Sequence, residues 1–211
     1  NTSSSLTGNL TSLEIDGNFE SGGALSGLTT LLVGGDTVLA GTVSTSDDQT
    51  YSGELVLASA ANTLITTEGE SVGGSLNVSG AITSSGSAHD LTVSAGQGAI
   101  TFAGDIGGGL GFGNIDLSAN TLVLSGIEAT QSVDITVANT GSVAGIAGAA
   151  NLIKNGAGTL SLNAVNTYSG MTQINAGSLA LTVAGSLGQG SYAQALDIAN
   201  NATFQYASDA A

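Results

Sequence analysis

Short blocks of alternating apolar and polar residues fill this chain, and a glycine or an asparagine ends nearly every block. The segment NTYSGMTQINAGSL, residues 166–179, shows the pattern. Period-two alternation predicts β-strands, because successive side chains of a strand point to opposite faces. The apolar spacing of three and four that an amphipathic helix needs is missing, and Gly or Ser-Gly interrupts almost every window of about ten residues. The sequence therefore predicts an all-β fold of short strands.

Two architectures are built from many short strands, the antiparallel sandwich or barrel and the parallel solenoid. Sandwiches favour aromatic-rich strands, Pro in loops and Asn-Gly or Asp-Gly hairpins, whereas this chain has 33 Gly, no Pro, four Tyr and four Phe. Small aliphatic residues and glycine corners favour a parallel β-helix. The predicted strands lie within residues 10–16, 36–43, 53–59, 62–68, 75–83, 90–95, 99–106, 114–126, 132–140, 158–164, 172–185 and 195–206.

Loose internal repetition supports the solenoid. The phrase Thr-Tyr-Ser-Gly occurs at residues 50–53 and again at 167–170, each time before two short strands. A coil of about 20 residues predicts about ten coils and a rod roughly 45–50 Å long. Residues 1–211 are interpreted as a single β-helix segment. Because neither end offers an amphipathic helix as a cap, we expect a piece of a longer protein or a unit that stacks head to tail.

Charge and composition exclude several classes of function. The formal net charge is −15, and Lys154 is the only Lys or Arg. Such a chain repels phosphate, so nucleic acid is not an expected partner. The absence of cysteine excludes disulfide and thiolate chemistry. No apolar run approaches the ~20 residues of a membrane helix, so we expect no direct membrane insertion of this segment.

The segment LIKNGAGTLSLNAVNTYSGMTQINAGSLAL, residues 152–181, closely resembles the autotransporter-associated β-strand repeat of bacterial type V secreted passengers. The earlier part of the chain has the texture of large adhesins of the filamentous-haemagglutinin kind. Two departures from the repeat fall at corners: Met171 replaces a usual glycine, and Asn163-Ala164 replaces a common Ser-Gly. The matching residues are Leu152, Lys154, Gly156, Gly158, Thr159, Leu160, Asn166, Thr167, Tyr168, Ser169, Gly170, Thr172, Ile174, Asn175, Ala176, Gly177 and Leu179.

The resemblance implies a right-handed β-helix exported to the outer surface of a Gram-negative-type cell. It also implies a structural role for the repeat residues Lys154, Gly156, Gly158, Asn166, Tyr168, Ser169, Gly170 and Gly177. We expect the stem of Lys154 to cover the apolar coil edge while its ammonium stays in water or pairs with a carboxylate. We expect Tyr168 to cover a corner of the stack.

Catalytic constellations are weak in this sequence. His89 is the only histidine and precedes Asp90; adjacent strand residues point to opposite faces, so we interpret it as a surface or turn residue and not as part of a relay. One histidine and no cysteine exclude a zinc site. The sixteen acids are scattered, with only Asp47 and Asp48 adjacent and Glu68 and Glu70 on one strand face, so we interpret them as solvated.

Two glycine-rich segments can be compared with known ligand-binding motifs. GGDTVLAG, residues 34–41, faintly resembles a calcium-binding nonapeptide, so we expect no cofactor other than weakly bound Ca²⁺. GDIGGGLGFGN, residues 104–114, lacks the Gly-x-Gly-x-x-Gly spacing and a following helix, so it predicts a flexible lateral loop or a tight corner. The polar start, NTSSSLTGNLTS, suits either a linker or polar strand faces.

Three functional hypotheses follow. The first is a non-enzymatic surface or adhesive rod, whose partner is a host or neighbouring-cell surface, a glycan or matrix. The second is an extracellular fibre subunit that associates end to end. The third is a carbohydrate-active β-helix enzyme, which the single basic residue disfavours, because such sites usually use a cation to steady developing negative charge. The expected location is extracellular, on a bacterial cell surface.

Overall fold

The protein is a parallel β-solenoid of about eight turns, seen in a computed structural model that describes residues 11–58, 63–67, 73–109, 111–188 and 191–208. No α-helix occurs among these residues, and none of them belongs to a helix that could span a membrane. Every inter-strand pairing is parallel, which confirms the predicted solenoid over the sandwich. The polar start of the chain, up to residue 10, lies outside the described residues.

Short strands follow one another along the chain. The first half contains β1 (Ser12–Ile15), β2 (Phe19–Ser21), β3 (Leu25–Leu28), β4 (Thr30–Val33), β5 (Thr37–Leu39), β6 (Val43–Thr45), β7 (Gln49–Tyr51), β8 (Leu55–Leu57), β9 (Thr63–Thr67), β10 (Leu76–Val78), β11 (Ile82–Ser84) and β12 (His89–Ser94). The second half contains β13 (Ala99–Phe102), β14 (Ile106–Gly109), β15 (Phe112–Gly148), β16 (Asn151–Asn155), β17 (Thr159–Leu162), β18 (Val165–Asn166), β19 (Thr172–Ile174), β20 (Ser178–Val183), β21 (Ser186–Leu187), β22 (Leu196–Ile198) and β23 (Thr203–Ser208).

Each coil contributes one strand to each of three faces. The first face stacks β1, β4, β7, β10, β13, part of β15, β17, β20 and β23. The second face stacks β2, β5, β8, β11, β14 and part of β15, and β18 pairs with β21 at the corresponding place in later coils. The third face stacks β3, β6, β9, β12, part of β15, β16, β19 and β22.

Coil length varies more than the sequence suggests. A coil takes 18 residues between the paired positions Leu31 and Gln49, but 28 between Thr63 and Leu91. Several coils are therefore longer than the ~20 residues assumed for the prediction of about ten coils. About eight turns stacked at ~4.8 Å give a rod of roughly 40 Å.

Strand β15 shows that a glycine or an asparagine does not always end a strand. Its 37 residues stay extended around several corners and pass through all three faces. The sequence predicts separate strands at 114–126 and 132–140 within it, whereas the backbone keeps its extended form between them. Where the chain bends gradually, no loop interrupts the strand.

The core is a narrow column of inward-facing side chains. Leu, Val and Ile dominate it, as predicted from the small-aliphatic composition. Four aromatic rings, those of Tyr51, Phe102, Phe112 and Tyr168, are also fully buried. The alternation of buried and exposed residues along each short strand places one side of every strand in this column.

Glycines at the corner between the first and second faces let successive coils approach closely. A Cβ added to Gly80 lies 2.4 Å from the carbonyl oxygen of Gly53, and one added to Gly104 lies 2.3 Å from that of Gly80. Neither glycine has a positive φ. Contact between coils, and not an unusual backbone conformation, therefore requires glycine at this corner.

Candidate functional site

The repeat segment at residues 152–181 spans more than one coil, from β16 to β20. Lys154 lies on β16, where alternation turns it into the core, and its Cα pairs with those of Ile135 and Ile174 in adjacent coils. An amine thus occupies a place that isoleucine takes in the coils on either side.

Lys154 is fully buried, with 0% of its surface exposed. Its Nζ donates hydrogen bonds to the carbonyl oxygens of Asn155 (2.7 Å), Gly156 (2.9 Å) and Ala176 (3.2 Å). Burial lowers the pKa of Lys154 to about 8. The expectation of an ammonium in water or beside a carboxylate is wrong, because the turn carbonyls of two coils satisfy it instead.

Three glycines of the repeat shape the turn around this amine. Gly156 and Gly177 adopt the left-handed region, with φ of 77° and 65°. A Cβ added to Gly177 lies 2.3 Å from the carbonyl oxygen of Gly158 and 2.6 Å from that of Gly156. Gly177 is therefore fixed both by its conformation and by the coil beneath it, which leaves no space for a side chain.

Asn166 connects three coils from inside the molecule. It is fully buried, and its Oδ1 accepts the backbone N–H of Ile146 at 2.9 Å. Its Nδ2 donates to the carbonyl oxygens of Ala164 (2.8 Å) and Ser186 (3.0 Å). The amide thereby supplies hydrogen bonds to backbone groups that are buried away from water.

Tyr168 lies within the core and does not cover a corner, so that expectation is wrong. Its hydroxyl lies 2.5 Å from the hydroxyl of Thr172, which in turn lies 2.8 Å from the hydroxyl of Tyr192. Tyr192 donates to the carbonyl oxygen of Gly170 at 2.8 Å, and the two tyrosine rings meet edge to face at 5.9 Å. Burial raises the pKa of Tyr168.

The corner after Tyr168 closes through backbone contacts. Ser169 is exposed and Gly170 is packed: a Cβ on Gly170 lies 2.3 Å from the carbonyl oxygen of Ala150. Met171, the first departure from the repeat, donates its N–H to the Oδ1 of Asn151 at 3.0 Å, and its side chain is 36% exposed. The corner therefore accepts a side chain in place of glycine.

The second departure, Asn163-Ala164, also leaves the stack intact. The Oδ1 of Asn163 accepts the hydroxyl of Thr182 at 2.5 Å, and its N–H donates to the carbonyl of Val143 at 3.0 Å. Asn163 thus contacts the coils before and after it.

The two Tyr-Ser-Gly phrases occupy different corners. Tyr51 ends β7 on the first face, whereas Tyr168 follows β18 and precedes the third-face strand β19. The hydroxyl of Tyr51 donates to the Oε1 of Gln49 at 2.9 Å, and both side chains are fully buried. What the phrases share is a buried tyrosine with a polar partner, a feature that alternation of apolar and polar residues does not reveal.

His89 and Asp90, the pair considered for a catalytic relay, have different hydrogen-bond partners. His89 begins β12 and is only 5% exposed, so its interpretation as a surface or turn residue is wrong. Its Nε2 lies 2.9 Å from the carbonyl oxygen of Ser85, whereas the Oδ1 of Asp90 accepts the N–H of Asn114 at 2.8 Å. The pair points to different partners, as expected for adjacent strand residues.

Several carboxylates accept backbone N–H groups of the next coil. Asp36 accepts from Glu54 at 3.0 Å, Asp48 from Ser75 at 2.7 Å, and Asp105 from Gly126 at 2.7 Å. These acids are exposed, as predicted, but they also connect coils. Glu68 and Glu70 lie outside the described residues.

The glycine-rich candidates belong to the framework. Residues 34–41 contain β5, and no group of three or more metal-ligating side chains occurs in the described part of the chain. Within residues 104–114, β14 ends at Gly109 and β15 begins at Phe112 on the next face, and the N–H of Gly111 donates to the carbonyl oxygen of Gly108 at 3.2 Å. The segment therefore contains a tight corner, one of the two predicted alternatives, next to a strand most of which was not predicted. Leu110 lies outside the described residues.

Residues 152–181 match the family model described as the passenger-associated-transport-repeat. The matched segment coincides with the one that resembles the autotransporter repeat, and it lies within a continuous parallel solenoid. Comparison with curated proteins and with solved structures found no match. The match and the fold together support a β-helical segment like those of autotransporter passengers.

Proposed function

We propose that this chain is a non-enzymatic β-helical passenger segment that supports export across an outer membrane and displays polar ladders for attachment. The observation that carries the proposal is the passenger-associated-transport-repeat within the solenoid. Lys154, Asn166 and Tyr168 of this repeat are buried and bind turns or neighbouring side chains, so none is available to a substrate.

The stacking of the coils supports a role in export. Each strand pairs with the preceding and following coils, so a newly emerged coil finds its template in the one already folded. The chain has no cysteine, so no disulfide hinders its passage in an extended form. Folding outside the membrane then opposes backward movement of the chain.

Export is tested with the parent open reading frame expressed in a Gram-negative host, with an epitope tag inserted after Gly22 in an exposed turn. We expect antibody to label intact cells, and deletion of residues 152–171, one coil of the repeat, to lower surface labelling several-fold at equal total expression. Deletion of residues 99–120, about one coil without the repeat, is the matched control. Equal labelling after both deletions would contradict a special role of the repeat.

The first face supports the display role. From β10 to β23 its described strands contain no Asp, Glu, Lys or Arg, although the chain carries a net charge of −15. Outward positions in register include Asn77 and Thr101, then the exposed Val123 and, further along, Ser161. Such an uncharged row, mostly of hydroxyl and amide groups, suits many weak contacts with a neutral glycan or matrix on a host or neighbouring cell.

A fibre subunit that associates end to end is the second candidate. Strands of neighbouring coils pair in parallel and in register throughout the described solenoid, and the same pairing between two copies would join them end to end. Sedimentation distinguishes the candidates: the display rod predicts monodisperse monomers, whereas the fibre predicts rods whose length grows with concentration.

A further inference from the structure

A cleft of about 470 Å³ opens on the second face of the solenoid. It lies beside β11 and β14 and reaches the later part of β15. Small residues form much of its wall, namely Ala81, Gly107, Gly108, Gly126, Gly145 and Ala147. Its volume falls in the range of sites that hold a small ligand or one large side chain.

Glycines in β14 create this depression. Gly107 and Gly108 have φ of 134° and 86°, which side-chain-bearing residues rarely adopt. The pairing of β11 with β14 shifts its register there, between Ile82 and Ser84. A Cβ on Gly107 would lie only 2.8 Å from the Cβ of Glu128. Glycine at this position therefore leaves space for the side chain of Glu128, which belongs to the next coil.

Two carboxylates, Asp105 and Glu128, line the cleft, and both side chains are exposed. One oxygen of Asp105 is held in place by the N–H of Gly126 at 2.7 Å. A third carboxylate is adjacent, because Thr83 in the lining donates its hydroxyl to Glu54 at 2.8 Å. The cleft therefore has negatively charged carboxylates at its side and a wall of glycine and apolar residues.

Neither of the two basic side chains in the sequence, Lys154 and His89, is placed to neutralise these carboxylates. Lys154 is the only Lys or Arg in the sequence, and it is buried on the third face with its Nζ bound to turn carbonyls. His89, the only histidine, is buried on β12. A cleft with one sign of charge and low-dielectric walls concentrates ligands of the opposite charge.

We propose that this cleft binds an arginine side chain presented by a partner protein. A planar guanidinium matches the hydrogen-bonding geometry of carboxylates, and its stem can lie against the glycine and alanine wall. The cleft is on an outer face, where a side chain of a large partner can enter. This inference rests on the proposed display role and makes it more specific, because it names one contact site and the chemistry of the partner that binds there.

The test uses the purified chain and a fluorescein-labelled peptide, Gly-Arg-Gly-Arg-Gly, followed by fluorescence anisotropy at low salt. We expect saturable binding that weakens about tenfold in the double variant Asp105→Asn, Glu128→Gln. The matched control, Glu14→Gln with Glu20→Gln, removes two charges elsewhere and should change the Kd less than twofold. In an NMR titration the amide signals of Gly107, Gly108 and Gly126 should shift.

Each contrary result overturns the proposal. Equal weakening in the control pair would mean that net charge alone attracts the peptide, and equal binding of a citrulline peptide would remove the role of the guanidinium. Binding of spermidine without the peptide would assign the cleft to a soluble amine. Binding is measured on the isolated chain, whereas export is measured by surface labelling of cells. A failure of peptide binding would therefore contradict the arginine site and leave the export role untouched.

Discussion

At the scale of single residues, the interior polar side chains hold the coils in place. A solenoid core is so narrow that a turn often lies within reach of a buried side chain. Lys154 uses this proximity to bind carbonyls of two coils, and Asn166 to connect three. Their alternation with apolar neighbours predicts strand positions, but only the three-dimensional stack shows which backbone groups they satisfy.

Lys154→Met tests the hydrogen bonds of the buried amine. Methionine fills a similar volume but leaves the carbonyls of Asn155, Gly156 and Ala176 without this donor. We expect the free energy of unfolding at pH 7 to fall by about 1–3 kcal/mol. Urea denaturation measures it, with Ile135→Met in the adjacent coil as a control that keeps the apolar volume and costs less than ~1.5 kcal/mol.

The pH dependence of stability tests the burial of the same amine. Its pKa is lowered from 10.5 to about 8 in the folded state, so between these values the unfolded chain holds a proton that the folded chain has lost. Stability contributed by Lys154 therefore rises with pH from about 8 towards 10.5, by about 2 kcal/mol at most up to pH 10. The measurement ends near pH 10, because burial raises the pKa of Tyr51 and Tyr168 and their contribution falls as unfolded tyrosines ionise.

The Lys154→Met variant is the reference for this titration. The difference in unfolding free energy between the wild type and the variant should increase between pH 8 and 10. A constant difference across that range would mean that the amine is hydrated in the folded state.

Asn166→Ala removes three hydrogen bonds to buried backbone groups. We expect a loss of about 2–4 kcal/mol in the free energy of unfolding, since groups left unpaired in the core carry their full desolvation cost. Asn175→Ala is the control, because Asn175 bonds to Asn155 at an exposed position, and its loss should stay near 0.5 kcal/mol. Chemical denaturation measures the free energy of unfolding of both variants. Equal decreases in the two variants would contradict a special role for the buried amide of Asn166.

At the scale of strands and corners, alternation predicts most of the architecture. The block at 53–59 contains β8, the block at 75–83 contains β10 and the start of β11, and the block at 99–106 contains β13 and the start of β14. β7 was not predicted from alternation, because its inward positions hold Gln49 and Tyr51 and so invert the usual apolar pattern. Buried polar pairs of this kind become visible only when their hydrogen-bond partners are known.

The candidate site was predicted in part. The resemblance identifies the residues of the repeat, but the β-helix that it implies led us to expect the Lys154 ammonium in water or beside a carboxylate and Tyr168 at a corner, whereas both side chains are buried. Long hydrophilic side chains usually lie at the surface. Burial of the Lys154 amine is possible because the carbonyl oxygens of the adjacent turns accept its hydrogen bonds. The glycine cleft was missed because its glycines resemble a loop in sequence and form β14 in the structure.

Gly80→Ala tests the close approach of coils at the first corner. An added methyl would lie 2.4 Å from the carbonyl oxygen of Gly53, which is a backbone atom and cannot rotate away. We expect a loss of about 2–4 kcal/mol in stability. Gly23→Ala is the matched control, since an added Cβ there meets nothing within 4 Å. If the thermal melts of the two variants coincide, close contact between coils does not require glycine at residue 80.

At the scale of the whole molecule, the parallel stack underlies every other inference. Growth of the fold coil by coil, the uncharged first face and the cleft on the second face all follow from strands that recur at the same place in each turn. An antiparallel arrangement of the same strands would bring different residues together and would remove all three.

Disulfide formation between introduced cysteines tests the stack most directly, because the chain has no cysteine of its own. In the parallel register Ala99 pairs with Thr121 and Thr101 with Val123. Neighbouring Cα atoms ~4.8 Å apart suit a disulfide, whereas the diagonal pairs lie ~8 Å apart and do not. A parallel stack predicts that a disulfide forms in two double-cysteine variants, Ala99→Cys with Thr121→Cys and Thr101→Cys with Val123→Cys. The two diagonal variants, Ala99→Cys with Val123→Cys and Thr101→Cys with Thr121→Cys, should remain reduced. The opposite pattern, which antiparallel strands would give, would contradict the parallel stack.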